Sequence, residues 1–434
     1  MPALFFCRAT WLNAPGCAFP RLDRGSRMLK AVIDHIASRR DYLLRLQRSL
    51  VAIPALGPDN GGQGEREKAD FLLDHLQEMG LTDIRDLRAP DDRVPCGHRP
   101  NIAAVIPGRD STRTFWIIGH TDIVPPGDLG LWESDPYLLR EDGDVIYGRG
   151  VEDNHQGVCA GLLLADALTA TKAEPPMNLG LLLVADEETA SKYGLDFVVR
   201  EHADMLSKKD LFVVPDFGIP DSSLIEVAEK SMFWLKITVT GRQCHASTPE
   251  QGVNSLVAAS AFVLKLRALY ERFDAVDKLF APPFSTFEAT KKEANVPNVN
   301  TIPGRDVFYV DSRILPQYPV DEVLAAIKGM GQGVAETYGV DIAYDVIQRE
   351  DAAPATPIDA EVVTRLQKGI GEIYGVQAKP AGVGGGTVAA FLRRRGYQAA
   401  VWETCQNTAH QPNERAVVSD QLRDAQVLAH ALFA

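Results

Sequence analysis

From Met28 onward, apolar residues recur in two rhythms that alternate along the chain. Leu29 to Ile53 and Glu67 to Met79 carry them at helical spacing, whereas Ile102 to Ile106 and Thr114 to Ile118 are short β-rich runs. This succession predicts an α/β fold. Near Glu229 the rhythm changes. Ser231 to Thr240 alternates as a strand, Val253 to Phe273 reads as a long helix, and the strand-like runs Val307 to Ile314 and Asp341 to Ile347 flank a helical run from Val320 to Tyr338. A strand-helix-strand-strand-helix-strand order predicts a small α+β domain inserted into the larger one. Ala352 to Pro357 reads as the return linker. A helix from Ala360 to Tyr374, a glycine loop from Gly382 to Gly386, a strand at Ala399 and a last helix then rejoin the first domain. The expected division is therefore 28–229 with 352–434 as one domain and 230–351 as the other. Residues 1–27, with several arginines, scattered prolines and no apolar period, are expected to be a disordered tail or a mis-called start.

A chain of 434 residues with 45% hydrophobic content exceeds the size at which single cores stop growing, so two domains are the default expectation. A net charge of -13 argues against nucleic acid and anionic membrane as partners, because both need a basic face. No apolar stretch approaches the ~20 residues needed to span a bilayer. Cysteines 7, 17, 96, 159, 244 and 405 form no CxxC pair, and reduced thiols in a cytoplasmic protein are the simplest account.

Five acid or histidine clusters each follow an apolar run or open one. They are Gly119-His120-Thr121-Asp122, Gly150-Val151-Glu152-Asp153, Asp186-Glu187-Glu188, Asp216 and His410. Loops at the carboxyl ends of strands in an open α/β sheet converge on one crevice, and mixed imidazole and carboxylate ligands suit zinc. Two ions about 3.5–4 Å apart need a shared carboxylate and terminal ligands on each. Asp153 is the expected bridge, with His120 and Asp216 completing one site and Glu188 and His410 the other. Glu187, beside a ligand, is the expected general base and acid, and Asp122 is placed to orient the His120 ring. Singly, each cluster fits a capped turn, a solvated helix start or an ordinary loop. Their joint occurrence in order carries the metal reading. His35, His75, His202 and His430 lie in helical patterns without such company and are expected to pack or face solvent.

The set resembles the dinuclear-zinc metallohydrolase family that includes carboxypeptidase G, the aminoacylases, acetylornithine deacetylase and succinyl-diaminopimelate desuccinylase. The resemblance runs from about Met28 to the C-terminus. It implies the same roles for His120, Asp122, Asp153, Glu187, Glu188, Asp216 and His410. It also implies a zinc-dependent exopeptidase-like domain, a mixed sheet flanked by helices, with an inserted ferredoxin-like α+β lid or dimerisation domain. Gly241 to Pro249 is similar to the lid segment whose histidine polarises the scissile carbonyl, here His245, which in dimeric members can come from the neighbouring subunit. Asn300, Arg313 and Thr387 look like substrate contacts of the family, and arginine suits bidentate carboxylate recognition. Ordinary turn and strand-end roles for the first two, and a tight helix entry at the glycine loop, stand beside that reading.

The chain departs from its relatives at Asn154-His155-Gln156-Gly157, where many carry Lys-Gly, and at Val388 to Ala390, where several deacylases have an aspartate. His155 is thus expected to touch a metal ligand from behind, to contact substrate or to serve as an extra ligand. Function is expected to be hydrolysis of an N-acyl amino acid of the deacetylase or desuccinylase type. Two Zn2+ ions are the expected cofactors, with Co2+ or Mn2+ as substitutes. A dipeptidase or carboxypeptidase with the same site is the alternative, and an inactive binding protein of the same fold the remote one. A small N-acyl amino acid or short peptide is the expected partner, with a homodimer through the lid. A Cys244 nucleophile beside His245 is excluded, since adjacent strand residues point to opposite faces.

Overall fold

Unbroken apolar runs mark strands that are covered on both faces. Four such strands, Met177–Val184, Asp110–His120, Leu211–Gly218 and Ala399–Glu403, run parallel and side by side at the centre of an eight-stranded mixed sheet. The computed structural model describes residues 24–434. His98–Ile106 and then Asp83–Pro90 extend the sheet antiparallel on one side, and Leu224–Glu229 and Lys379–Val383 extend it on the other. Alternate side chains of Asp110–His120 enter different cores, as the two-residue period of a strand requires. Phe115 and Ile117 pack with the helices Arg24–Ala37, Arg40–Ala52, Arg66–Glu78, His155–Thr171, Glu361–Tyr374 and Val418–Phe433. Trp116 and Ile118 pack on the opposite face with Leu195–Glu201 and Ala389–Arg394. Each such buried side chain contributes about 1.5–3 kcal/mol. His155–Thr171 is apolar almost all round, which is why it lies under the other helices and against the sheet.

Residues 231–350 form a second sheet with its own core. Its strands are antiparallel in the order Thr286–Lys292, Arg305–Ile314, Ser231–Thr240, Asp341–Glu350. Phe233, Leu235, Ile237 and Val239, every second residue of one strand, are fully buried against the helices Ser255–Lys265 and Val320–Tyr338. The intervening residues face the other way and stay partly exposed. A third sheet of only three short strands, Arg140–Asp142, Val145–Tyr147 and Arg415–Val417, ties the middle of the chain to its end.

Several boundaries differ from the sequence expectation. The Leu29 to Ile53 run is two helices, broken where the Ser38 hydroxyl donates to the His35 carbonyl at 2.7 Å and closes the first helix with a turn. The long run from Val253 ends as an α-helix at Lys265 and continues through a 3-10 turn, Leu266–Ala268, into Leu269–Arg272. The first helix is already formed at Arg24, so the 27/28 boundary falls inside it, and residues 1–23 lie outside the described residues. The edge strand Asp83–Pro90 has no counterpart in the sequence expectation, and Thr286–Lys292 supplies the strand that the expected order required between the helix and Val307 to Ile314 but did not place, because both exposed, charge-rich sequences lack an apolar signal. Among the described residues no helix is long and apolar enough to cross a membrane, and Cys96, Cys159, Cys244 and Cys405 are free thiols.

Candidate metal centre

The carboxyl ends of the four central parallel strands deliver the chemistry. His120 ends one strand, Asp216 lies near the end of another, and Glu187 and Glu188 follow Met177–Val184 on a 3-10 turn. Asp153 enters from the loop before His155–Thr171, and His410 from the loop after Ala399–Glu403. His120, Asp153 and Asp216 bring one potential ligand atom each to within 4.8 Å of one another, and so do Asp153, Glu188 and His410. Asp153 belongs to both groups and meets them through different oxygens. Its Oδ1 is 2.8 Å from His120 Nε2, and its Oδ2 is 3.1 Å from His410 Nε2. His120 Nε2 also lies 3.3 Å from Asp216 Oδ1, and His410 Nε2 lies 3.1 Å from Glu188 Oε2. The His120 side chain is only 1% exposed whereas that of His410 is 57% exposed, so the site opens toward His410.

The donor set fits a cation. Among the described residues Asp216 Oδ1 and Glu188 Oε1 find no hydrogen-bond partner although both are buried, a costly state for carboxylate oxygens unless a positive charge faces them. Asp122, Asp153, Glu187, Glu188 and Asp216 crowd around two imidazoles, and the proton affinities of Glu187 and Glu188 register the excess of negative charge. Burial, and then the charge of Asp216, hold the Glu187 carboxyl well above the usual range. Burial, with the charge of Asp153, pushes Glu188 up to about 7. Hydrogen bonds to Asp153 and Glu188 raise His410 to about 10. Burial opposes charge on His120, but Asp216, Asp122 and Asp153 outweigh it and its pKa stands well above normal. Asp153 is pulled down by His120 and His410 against its own burial.

Backbone anchoring of these loops uses residues that spacing did not reveal. The Glu414 carboxylate accepts the N–H groups of Gly150, Glu152 and Asp153, each at 3.0 Å, and Arg149 Nη1 at 2.6 Å. Glu152 returns the favour to the His410 loop by accepting the N–H groups of Thr408 at 2.6 Å and Ala409 at 3.0 Å. Asn154 accepts the His120 N–H at 3.2 Å and donates to the Pro215 carbonyl, which joins the first and fourth clusters. Asp186 and His410 both adopt φ of 62°, a left-handed conformation that non-glycine residues avoid, and one that turns the chain sharply at two of the site loops. Asp186 is held there beside the buried Arg99–Glu65 pair, with Arg99 Nη1 at 3.2 Å.

Asp122 sits beside His120, and its carboxylate also reaches a second loop. The ring Nδ1 is 3.1 Å from the Asp122 carbonyl and 3.4 Å from its Oδ1, while the two carboxylate oxygens accept the N–H groups of Glu187 and Glu188, each at 3.1 Å. Asp122 therefore shapes the Glu187-Glu188 turn as much as it orients the imidazole. His155 is buried, with Nε2 2.7 Å from Lys68 Nζ, and belongs to neither ligand group. Among the four helical histidines, His35 pairs with Asp166 at 2.9 Å, and His75 meets the Tyr42 hydroxyl at 2.6 Å.

A cavity of about 980 Å³ opens beside Glu187, Glu188 and His410, and its far walls come from the second sheet and the glycine loop. Thr387 lines it, although its hydroxyl donates inward to Glu229 at 2.7 Å. Arg313, Asn300 and His245 do not line it. Arg313 is held by Asp311 at 2.9 Å and by the Gly384 carbonyl at 2.8 Å. Asn300 Oδ1 accepts from Asn298, and the Asn300 carbonyl accepts from Ala246 N in the ribbon that pairs His245 with Thr301. His245 is exposed, its Nδ1 2.7 Å from Ser247 Oγ.

The model of peptidase family M20/M25/M40 matches residues 116–434. An uncharacterised metallohydrolase of Methanococcus maripaludis is 40% identical over 409 residues, covering 89% of this chain and 97% of its own. A succinyl-diaminopimelate desuccinylase of Magnetococcus marinus is 24% identical over 382 residues, 86% of this chain and 93% of its own. The Saccharomyces cerevisiae dipeptidase Dug1p superposes with a TM-score of 0.71 at 17% identity, over 93% of this chain and 98% of its own. A metallo-carboxypeptidase of Sulfolobus solfataricus gives 0.70 at 18% identity, over 90% and 98%. These two structures share the fold.

Proposed function

The chain belongs to peptidase family M20/M25/M40 and is a metallohydrolase of amide or peptide bonds, and from that premise we propose that it deacylates N-acyl amino acids, in the manner of a deacetylase or desuccinylase. The observation that carries the reading is the sharing of Asp153, one oxygen to each ligand group, with Glu187 beside both and in neither. His120, Asp153 and Asp216 would hold one divalent cation, and Asp153, Glu188 and His410 the other. We assign these as zinc, with cobalt or manganese as substitutes. When bound, such a pair supplies Lewis acidity for the scissile carbonyl and acidifies water at the site.

The remaining steps belong to the side chains. Glu187 Oε2 lies 4.0 Å from His120 Nε2, and its raised proton affinity suits a group that takes a proton from water and returns it to the departing nitrogen. Asp122 fixes the turn that aims it. We place His245 at the oxyanion, reached by closure of residues 230–351 as a lid over 28–229 and 352–434, or supplied by a second copy in a homodimer. Arg313, Asn300 and Thr387 remain proposed substrate contacts in that closed arrangement, and the cytoplasm the proposed location. Dipeptidases and a carboxypeptidase among the structural neighbours keep peptide cleavage as the second reading.

Elemental analysis of the purified protein, with hydrolysis of N-acetyl amino acids, N-succinyl amino acids and dipeptides before and after chelation, tests both readings. About two metal equivalents and chelator-sensitive deacylation are expected. Preferred cleavage of dipeptides selects the second reading, and absence of cleavage after zinc or cobalt is restored removes both.

A further inference from the structure

The cavity beside the carboxylate cluster is lined by six charged side chains of Asp, Glu and Arg, and four of them are already committed. Glu187 and Glu188 belong to the metal centre. Arg349 and Asp351 satisfy each other through two parallel bonds of 2.7 and 2.9 Å, with a third arginine N–H on Asp321 at 2.6 Å. Arg394 and Glu350 are left, and they face each other across the junction of the two sheets. Their contact is a single one of 3.5 Å, at the limit of a hydrogen bond, and both side chains are about one-third exposed, 34% and 32%. Among the described residues it is the one polar contact of the Glu350 carboxylate. Arg394 otherwise donates only to the Asp351 carbonyl at 2.6 Å, so several of its five N–H donors are uncommitted.

The wall around this pair is shaped for it. A Cβ on Gly386 would come within 2.8 Å of Glu350 Oε2, so the glycine leaves room for the carboxylate to lie over the loop. Met232, Val388 and Phe391 supply apolar lining in the same cavity, and the Arg394 guanidinium sits 5.6 Å from the Phe391 ring centre. We infer that Arg394 and Glu350 form a specificity subsite for the end of the substrate remote from the scissile amide, and that this end is an α-amino acid group. Its carboxylate meets Arg394 and its ammonium meets Glu350, since the two charges of such a group stand one carbon apart and match a facing pair of opposite sign. An aliphatic spacer then runs along Met232, Val388 and Phe391. The inference rests on the amidohydrolase reading of the preceding section.

Four isosteric acetamides separate the contributions. Nε-acetyl-lysine carries both charges, N-acetyl-6-aminohexanoate only the carboxylate, N-acetylcadaverine only the ammonium, and N-pentylacetamide neither. Wild-type kcat/KM should fall in that sense, with about tenfold lost per missing charge and most of it in KM. Arg394→Gln should lower the two carboxylate substrates about tenfold and spare the other two. Glu350→Gln should do the same for the two ammonium substrates, and Arg394→Lys should restore part of the Arg394→Gln loss. Equal kcat/KM across the series, or an equal loss on all four substrates in Arg394→Gln, overturns the subsite. Cleavage of Nα-acetyl amino acids without cleavage of Nε-acetyl-lysine overturns it while leaving the enzyme reading intact. No cleavage of any amide by the metal-loaded protein removes the enzyme reading, and the subsite with it.

Discussion

Replacing Glu414 by glutamine tests whether the shared ligand is held from the far end of the chain. Glu414 Oε1 accepts the Glu152 and Asp153 N–H groups, and Oε2 accepts Gly150 N–H and Arg149 Nη1. A glutamine keeps one oxygen and turns the other into a donor. With the oxygen left toward Arg149, two buried N–H groups of the Asp153 loop lose their acceptor, at about 1–3 kcal/mol each. With the amide flipped, Arg149, only 1% exposed, loses its partner, at about 3–5 kcal/mol, and the Gly150 N–H loses its acceptor, at about 1–3 kcal/mol. The first orientation therefore costs less, and its loss of about 2–6 kcal/mol comes from a fold worth about 5–15 kcal/mol, so the variant should fold but melt early. Because the freed N–H groups belong to the residues that aim Asp153, metal affinity should drop about 10- to 100-fold as well. Calorimetry of the loaded and chelated protein, with metal affinity measured by chelator competition, reads both effects. A Glu414→Gln protein that melts within about 1 °C of wild type and holds metal equally well refutes the anchoring argument.

Other substitutions probe neighbouring points. Glu187→Gln should keep its metal and its melting temperature while turnover falls about 10²- to 10⁴-fold, and normal turnover rejects Glu187 as the proton carrier. Asp153→Asn should lose both metal equivalents, whereas Asp216→Asn and Glu188→Gln should each lose one; elemental analysis showing one equivalent retained by Asp153→Asn contradicts a shared ligand. Metal at about a hundredfold its Kd should add about 2.7 kcal/mol to stability, visible as a rise in Tm that chelation reverses. Burial raises buried Asp424 to about 7, although Tyr374 and Thr404 donate to it. The folded state therefore holds this proton more tightly than the unfolded chain, so its contribution is complete below about pH 4 and is lost as pH rises through 7. The stability difference between wild type and Asp424→Asn should shrink by a few kcal/mol over that interval, and a constant difference in denaturant titrations would count against it.

The sequence made the candidate ligands legible because metal chemistry restricts residue type. Few side chains can serve, and His120, Asp216 and Glu188 stand at or just past the end of an apolar strand, so they carried their own position with them. Glu414 and Asn154 had no comparable signal. Their work is to bind backbone N–H and carbonyl groups, which any sequence presents, and nothing in Gln411-Pro412-Asn413-Glu414 states which loop the carboxylate will meet. The same reason explains Asp122, whose neighbour in sequence is His120 but whose carboxylate serves a turn at Glu187. In the fold, covered strands and the amphipathic helix Val320–Tyr338 declared themselves by period, whereas the edge strand Asp83–Pro90 is defined by its pairing partner rather than by its own residues. His245, Arg313 and Asn300 lie on the second sheet and its ribbon, whose meeting with the carboxylate cluster is a matter of relative placement that local pattern does not encode.

The small sheet that joins Val145–Tyr147 to Arg415–Val417, together with the bonds from the Glu152 N–H to Glu414 and from the Thr408 N–H to the Glu152 carboxylate, bears on the order of assembly. A growing chain that has emerged past Asp216 already contains the side chains of one candidate ligand group, yet Glu414, whose carboxylate accepts the N–H groups of the Asp153 loop, is made long after it. Domains tend to fold as they are synthesised, N-terminal parts first, but here the opening strands and helices can gather while the hydrolytic centre stays unformed. The site can close only once the segment carrying His410 and Glu414 has been made, so a chain cut before that segment lacks one of the two candidate ligand groups.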